Sequence, residues 1–429
     1  MHIGIYINNE NISSVDCKNL LAGNPGIGGT EYCVLLLAQA YKMYYSNNKV
    51  TLFVAKQGIL PEVDNYVVVN GIDGLPAKAQ KEDVDVLVVS AVYNGIPLPQ
   101  SFFDDISAKK IKTILWGHNF YLNDFCNKIC KCEYAKANVF VGRQQYDRYI
   151  DHAVINKSTY IYNMYPETDE LHREKIQNHA VTYIGSLVPT KGFHVLAAVW
   201  KTILKEVPDA TLNVVGNGKL YGRNSKLGKY NIAEDSYEKQ FMSGLTDDEG
   251  NILPSVHFWG VLGVEKNDVI RNTCVGVVNP TGRTETFGIS ALDFESMSVP
   301  VVTIAKGGFL DTVLNEKTGL LYGHTNDFAK DIIMLLKNDK LNEQYGRDGV
   351  QLCKKFTPDK IIKEWNRLFL KVLNDEKMEY IEPDSFMETN LKKYRCLNRK
   401  IKNAIGVEYP ISVIGAESFA RNVLRRMGK

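Results

Sequence analysis

The sequence predicts an α/β protein made of two successive doubly wound halves, and three observations carry that expectation. Short apolar runs alternate with helix-forming segments from residue 1 to about 160, and again from about 181 to 303, as β-α-β units require. Several runs are apolar at consecutive positions, Val86-Leu87-Val88-Val89 among them, which marks parallel strands covered on both faces. Between the two series, residues 164–180 are polar and contain Pro166, the composition of a linker. Open parallel sheets bind ligands beyond the carboxyl ends of their strands, so a cleft between two facing halves is the expected site.

In chain order, Ile3–Ile7 reads as the first strand, followed by a glycine loop at Gly23–Gly29. Glu31–Tyr44 then reads as a helix, apolar nearly all round at Val34-Leu35-Leu36-Leu37-Ala38 and therefore buried between layers. Further strands are expected at Val50–Val54, Val84–Val89, Thr113–Trp116, Val139–Val141 and Ser158–Tyr162. The second series begins at Val181–Gly185 and continues with Thr211–Val215, Val256–Trp259, Gly276–Val278 and Val299–Thr303. The connection 217–255 is long and rich in Tyr, Lys and Gly, a length that usually serves function. Over Lys360–Leu373, Ile361, Ile362, Trp365, Leu368, Phe369 and Val372 recur at helical spacing. The expected organisation is a first domain over 1–165, a second over 175–358, and a segment 360–429 that packs back onto the first.

Composition excludes several classes. With 45% hydrophobic and 23% charged residues in 429, the chain has enough apolar side chains for folded domains and is not dominated by disorder. A formal charge of +2 gives no global attraction to nucleic acid. No apolar run reaches the roughly 20 residues that cross a bilayer, and the first residues lack the pattern of a secretory leader, so a cytoplasmic protein is expected. The charge is uneven: residues 391–429 carry ten Lys/Arg and two Asp/Glu, leaving 1–390 at −6. Cys126, Cys130 and Cys132 are unpaired in spacing, with His118 as the one nearby fourth ligand, so they are expected on a helix face rather than around zinc. Asp83 and Asp85 precede an apolar run and read as a turn leading into a strand.

Two phosphate motifs fail. Gly26 and Gly28 fit the first part of the dinucleotide fingerprint, but Glu31 stands where the third glycine is needed for close helix–strand packing. No Gly-Lys-Ser/Thr follows, so there is no P-loop. What remains is a glycine-rich turn opening a helix, with backbone N–H groups suited to an anion or to substrate oxygens. The most informative stretch is Asn279-Pro280-Thr-Gly-Arg283-Thr284-Glu285-Thr286-Phe287-Gly288-Ile289, continuing through Asp293 and Glu295 to Pro300-Val301-Val302. A strand ends near Val278, a loop carries Glu285, and a helix begins near Gly288 with unpartnered first-turn N–H groups.

This stretch resembles the E-x7-E motif of the family 4 retaining glycosyltransferases, which have the GT-B fold of two facing Rossmann-like domains. Glu285, Phe287, Gly288, Pro300, Val301 and Val302 match the family pattern. The second glutamate falls on Asp293, one methylene shorter, because the distance to Pro300 places Glu295 out of register. Gly185-Ser186-Leu187 with Lys191-Gly192 resembles the family's diphosphate-binding segment, with Ser186 in place of its arginine. Val214-Val215-Gly216-Asn217-Gly218 resembles the next turn. Gly307-Gly308 with Asp311, and Thr318-Gly319-Leu320, resemble later motifs. Gly28-Gly29-Thr30-Glu31 and Trp116-Gly117-His118-Asn119 match segments of the first half. The resemblance covers about residues 1–370.

It implies a metal-independent, retaining transferase without a cofactor, taking a UDP-, GDP- or dTDP-sugar and passing the sugar to a glycan or lipid-linked acceptor, with bacterial surface polysaccharide as the setting. Lys191 and the N–H groups near Gly288 and Ile289 are expected at the departing diphosphate, Glu285 at the sugar hydroxyls, Asp293 at the ribose, and His118 at the reaction centre. Gly28, Gly29, Gly185, Ser186 and Phe287 complete the expected donor site, and Arg283 is the candidate for the missing arginine. The departures at Ser186 and Asp293 keep a second expectation open, a weak or inactive homologue serving as a partner subunit; a sugar-nucleotide epimerase of the same fold is a third. Lys392, Lys393, Arg395, Arg399, Lys400 and Lys402 lie among apolar residues, so peripheral contact with the inner face of an anionic membrane is weighed against a solvated face on a docking segment.

Overall fold

The computed structural model describes residues 1–93, 95–166, 178–218, 226–383 and 391–426. The chain divides into two compact units: Met1–Leu21 with Ile27–Met164 and Pro358–Lys429, and Ala22–Gly26 with Tyr165–Thr357.

The first unit is built on β1 (His2–Ile7), β2 (Lys49–Val54), β3 (Asn65–Val68), β4 (Val86–Ser90), β7 (Thr113–Gly117), β8 (Ala135–Phe140) and β9 (Ser158–Tyr160). All are parallel, in the order β3-β2-β1-β4-β7-β8-β9. The short β5 (Val92–Tyr93) and β6 (Ile96–Pro97) form a separate antiparallel pair. The second unit has β10 (Ala180–Ile184), β11 (Thr211–Val215), β12 (Val256–Gly260), β13 (Val275–Val277), β14 (Val301–Ile304) and β15 (Gly319–Tyr322). These too are parallel, in the order β12-β11-β10-β13-β14-β15. Each sheet thus starts from its third strand, runs back to its first, and reverses direction of winding at the fourth. The reversals fall between β1 and β4 and between β10 and β13, where loops part and leave room for a ligand.

The helix Gly29–Tyr44 packs on β1 and β2 with Tyr32–Ala38 buried throughout, as its unbroken apolar run requires. It also meets the helix Pro358–Leu373: Tyr41 stands edge-on to Phe369 at 5.0 Å, and its hydroxyl donates to Asn366 Oδ1 at 2.9 Å. Ile361, Ile362, Trp365, Leu368, Phe369 and Val372 are all buried there.

Some elements differ from the sequence expectation for identifiable reasons. β3 is a half-exposed edge strand, Asn-Tyr-Val-Val, without an apolar run to announce it. β8 begins at Ala135, four residues before the expected Val139, because Ala-Lys-Ala carries little apolar signal. Residues 167–177 of the expected linker and 219–225 of the long connection lie outside the described residues. The rest of that connection is tied down: Glu238, on the helix Asp235–Met242, is buried and accepts the N–H groups of Tyr230, Ile232 and Ala233. The Asp85 carboxylate accepts the His2 N–H at 2.7 Å and Asp83 has a φ of 57°, the geometry of a turn leading into β4. Cys126 and Cys130 sit on the helix Asn123–Lys131, and Cys132 caps it. Among the described residues no helix is long and apolar enough to cross a membrane.

The basic tail departs most from expectation. On the helix Lys392–Ile405, Lys392, Arg395, Arg399 and Lys402 are buried, not presented to solvent. Lys392 pairs with Asp147 at 2.5 Å and Arg395 with Asp151 at 3.2 Å, while Arg399 and Lys402 both pair with Glu408. These four residues are therefore unavailable to a membrane; only Lys393 and Lys400 of the six are exposed.

Candidate active site

The second unit gathers its charged motif residues at the β10/β13 reversal. After β10 the chain makes a single 3-10 turn, Pro189–Lys191, and Gly192 follows with φ 70° before the helix Phe193–Glu206. The buried Tyr183 of β10 fixes this turn, its hydroxyl donating to the Lys191 carbonyl at 2.9 Å. After β13 the loop 279–288 carries Glu285. The two loops touch: Thr281 Oγ1 donates to the Thr190 carbonyl at 3.0 Å, and a Cβ on Gly192 would meet Thr281 at 2.6 Å.

Lys191 and Glu285, 94 residues apart, are thereby brought into an ion pair of 2.8 Å. Asn279 Nδ2 donates to the same carboxylate oxygen at 3.0 Å and to the Arg283 carbonyl at 2.9 Å. Burial pushes the Glu285 carboxyl up, but Lys191, Asn279 and the Gly288 N–H together hold it below the usual carboxylate range. Glu285 is therefore charged. The Gly288 N–H, expected to be open to a phosphate, faces this carboxylate.

A third loop locks Glu285 from behind. Gly308 N–H donates to the Glu285 carbonyl at 3.1 Å, and a Cβ on Gly308 would fall 2.3 Å from the Phe287 nitrogen. No other residue fits there. Phe287 itself is 2% exposed, with its ring edge-on to Phe356 at 5.3 Å. Its side chain anchors the loop in the core. Gly288, with φ 85°, caps the helix Ile289–Glu295.

That helix separates the two acidic residues that follow. Glu295 is fully buried, accepts from the Thr318 hydroxyl at 2.6 Å, and is pushed well above the usual carboxylate range by burial. Asp293 keeps a surface, 13% exposed, and pairs with Lys266 at 2.9 Å, which is equally shielded. The Tyr165 hydroxyl bridges Asp293, at 3.2 Å, and Ser296. Asp293 is thus bound to Lys266 rather than joined to the Lys191–Glu285 cluster. Gly185 ends β10 with its N–H donating to the Val215 carbonyl, and Ser186 follows half-buried. Arg283 is exposed; burial, and after it the positive charge of Arg283, lowers the pKa of His194 in the N-terminal turn of Phe193–Glu206.

In the first unit, Gly28 and Gly29 open the helix Gly29–Tyr44. Glu31 curls back on its own backbone N–H, and burial raises its pKa; a Cβ on Gly28 would lie 2.2 Å from its carboxylate. His118 follows β7, its ring tilted by 49° against Trp116 with centroids 4.4 Å apart, and Trp116 in turn meets Trp365 edge-on at 4.7 Å. Its ring nitrogens are shielded from solvent although the residue is half-buried, and burial lowers its pKa to about 3. It is neutral at physiological pH. Gln145 clamps this loop, donating from Nε2 to the carbonyls of Gly117 and Asn119 at 2.8 and 2.9 Å. Asn279, Lys266, Tyr165 and Gln145 were not singled out as site residues by the sequence; only Asn279 lay inside a motif.

Residues 164–351 match the family model described as Glycosyl transferases group 1. An uncharacterized glycosyltransferase of Methanocaldococcus jannaschii is 26% identical over 215 residues, 50% of this chain and 53% of that protein. The Staphylococcus aureus capsular polysaccharide biosynthesis glycosyltransferase CapM is 26% identical over 42% of this chain and 43% of its own. The chain thus spans about half the length of the curated relatives it matches. Among solved structures, sucrose-phosphate synthase from Thermosynechococcus elongatus shares the fold with a TM-score of 0.65 over 87% of this chain and 99% of that one, at 16% identity. Anabaena HepE in complex with UDP-glucose gives 0.62 over 86% and 100%, at 14% identity. The chain accordingly has the two Rossmann-like domains of the GT-B fold, and its residues 164–351 match the group 1 glycosyltransferase model.

Proposed function

We propose that this chain is a retaining glycosyltransferase of the family 4 type, which takes a sugar from a nucleoside-diphosphate donor held by its second unit and passes it to a glycan or lipid-linked acceptor. The observation that carries this reading is the Lys191–Glu285–Asn279 cluster at the carboxyl ends of β10 and β13, the neighbouring strands at which winding reverses. A cation and a carboxylate held together at that point match a substrate that is an anion at one end and a polyol at the other. HepE, of the same fold, has been solved with UDP-glucose and with UDP, which supports a nucleotide sugar as donor. CapM, a capsular polysaccharide biosynthesis glycosyltransferase, supports surface polysaccharide synthesis as the setting.

In this reading the donor diphosphate replaces the Glu285 carboxylate as the partner of Lys191, and Glu285 turns to the sugar hydroxyls. The bond between the anomeric carbon and the diphosphate oxygen breaks, and the acceptor oxygen bonds to the same face of that carbon. The acceptor proton passes to the departing phosphate oxygen, so products are the glycoside and the nucleoside diphosphate. Lys191 stabilises the growing charge on the diphosphate, acting where the barrier is set. Arg283, exposed and beside the same loop, supplies the second positive charge that Ser186 cannot, so neither a metal nor a cofactor is called on. Asp293, held by Lys266 and Tyr165, receives the ribose. His118, as a neutral imidazole, offers a hydrogen bond at the reaction centre.

The test is release of nucleoside diphosphate from a panel of UDP-, GDP- and dTDP-sugars with candidate acceptors, together with calorimetry of the free nucleotides. Turnover with retained anomeric configuration is expected for one donor class. Nucleotide binding without turnover across the panel would favour the partner-subunit reading, and an acceptor-independent sugar product would point to epimerisation.

A further inference from the structure

The helix Lys392–Ile405 is turned inside out. Its four inward residues, Lys392, Arg395, Arg399 and Lys402, are between 1 and 4% exposed, although they are the residue types most often found in water. Each is answered by the first unit. Beyond their ion pairs, Arg395 donates to the Arg148 carbonyl, Arg399 to those of Ile150 and His152, and Lys402 to that of Asp151, all at 2.6–2.9 Å. The polar face of this amphipathic helix is therefore consumed by the body of the protein.

Its apolar face points out. Leu391, Tyr394, Leu397, Ile401 and Ile405 are 58, 51, 57, 39 and 51% exposed. Steps of three and four residues put them on one strip. The chain leaving the helix continues the pattern, with Val407, Tyr409 and Ile411 each more than half exposed. A run of this length exceeds the scattered apolar residues normal on a surface and marks a place where something apolar is met.

The charges around the strip identify what that is. On the helix Lys392–Ile405 the exposed charged side chains beside these apolar ones are Lys393 and Lys400, both cations. The two carboxylates of this segment, Glu408 and Glu417, keep part of their surface but are engaged in ion pairs, Glu408 with Arg399 and Lys402, Glu417 with Arg148 and Arg395. A second copy of the chain docking strip to strip would bring the lysines of both copies together with only carboxylates already held in ion pairs to answer them. An anionic bilayer answers both features, lipid phosphates meeting the lysines and acyl chains the strip, while Tyr394 and Tyr409 suit the boundary between them.

We propose that the outward face of the helix Lys392–Ile405 is a membrane-docking surface selective for anionic lipid. Leu397 and Ile401 enter the interface, and Lys393 and Lys400 contact the headgroups. The peripheral contact expected from the basic tail is thereby narrowed to Lys393 and Lys400 of its six cations, because the other four are buried. The proposal stands apart from the glycosyl-transfer reading, since vesicle binding is measured without donor or acceptor.

The experiment is co-sedimentation of the full chain with vesicles of phosphatidylglycerol and phosphatidylcholine in equal parts, against phosphatidylcholine alone. Wild type is expected to partition to the anionic vesicles and to be released by salt. Leu397→Glu combined with Ile401→Glu should lower that partition on the order of tenfold or more. Lys393→Ala combined with Lys400→Ala should lower it by roughly severalfold and flatten its salt dependence. All four positions are exposed, so both variants should keep the wild-type thermal unfolding profile. Equal binding to neutral vesicles, no binding of wild type, or full binding by the double glutamate variant would each overturn the proposal. So would a wild-type dimer, seen by light scattering, that the glutamate substitutions dissolve, since a second copy would then own the strip.

Discussion

The two sheets of this protein share one winding and place opposite charges at corresponding points. In each, the first strand leads to a glycine-bounded helix start at the point where winding reverses. In the first unit that start is covered by a carboxylate, Glu31, bent back over Gly28. In the second it is preceded by an ammonium, Lys191. Backbone N–H groups at a helix start favour an anion in both cases, yet only the second leaves the place to an anion from outside. Topology supplies the position, and the side chains of the first turn decide whether it is already filled.

The largest effect should come from removing that ammonium. Lys191→Ala is expected to lower kcat by on the order of 10²–10³, the scale of losing one preorganised donor to a developing negative charge. A loss confined to donor KM would mean that Lys191 only binds. Next comes its partner: Glu285→Gln keeps the shape but removes the charge facing the sugar, so kcat should fall more than donor affinity. Asp293→Asn should chiefly raise donor KM, because the ribose does not change during reaction. Equal damage to kcat by Asp293→Asn, with KM unchanged, would show that the two carboxylates have been given the wrong register.

A smaller effect is expected on acidification. Burial holds the folded-state pKa of His118 at about 3 and of His152 at about 4, against an ordinary 6.5. Below pH 6.5 the unfolded chain binds protons that the folded chain refuses, so stability should decline from about pH 6.5 down to those values. The slope is at most about 1.4 kcal/mol per pH unit for each histidine. Denaturant melts of His118→Asn should show a shallower decline; an unchanged slope would mean that His118 titrates normally. The smallest effect tests the first unit's filled helix start. Glu31→Gln should leave donor KM unchanged and alter stability by less than about 1 kcal/mol, and a changed donor KM would erase the contrast between the two units.

Much of the fold was legible because buried parallel strands write themselves as apolar runs; β3, at a half-exposed edge, did not. In the site, the sequence pattern marked Lys191, Glu285 and Asp293 separately, but contact between Lys191 and Glu285 depends on two loops meeting across 94 residues. Lys266 carries no local sign of its role, since the helix Lys266–Arg271 is brought to Asp293 by tertiary packing alone. The tail was misread for a related reason. Periodicity shows that a helix has two faces, but which face turns inward depended on the carbonyls and carboxylates of residues 147–152, far away in the chain.

The close approach of Gly308 to the Phe287 backbone also bears on how genetic data for this protein would read. An alanine allele at 308 would push its methyl into the loop that carries Glu285 and silence the site without altering any group that meets substrate. A screen for null alleles would rank position 308 beside Lys191 and Glu285. Only the chemical fate of the variant tells them apart: the alanine allele at 308 should lose donor binding and turnover together, whereas an allele at a reacting group keeps one and loses the other.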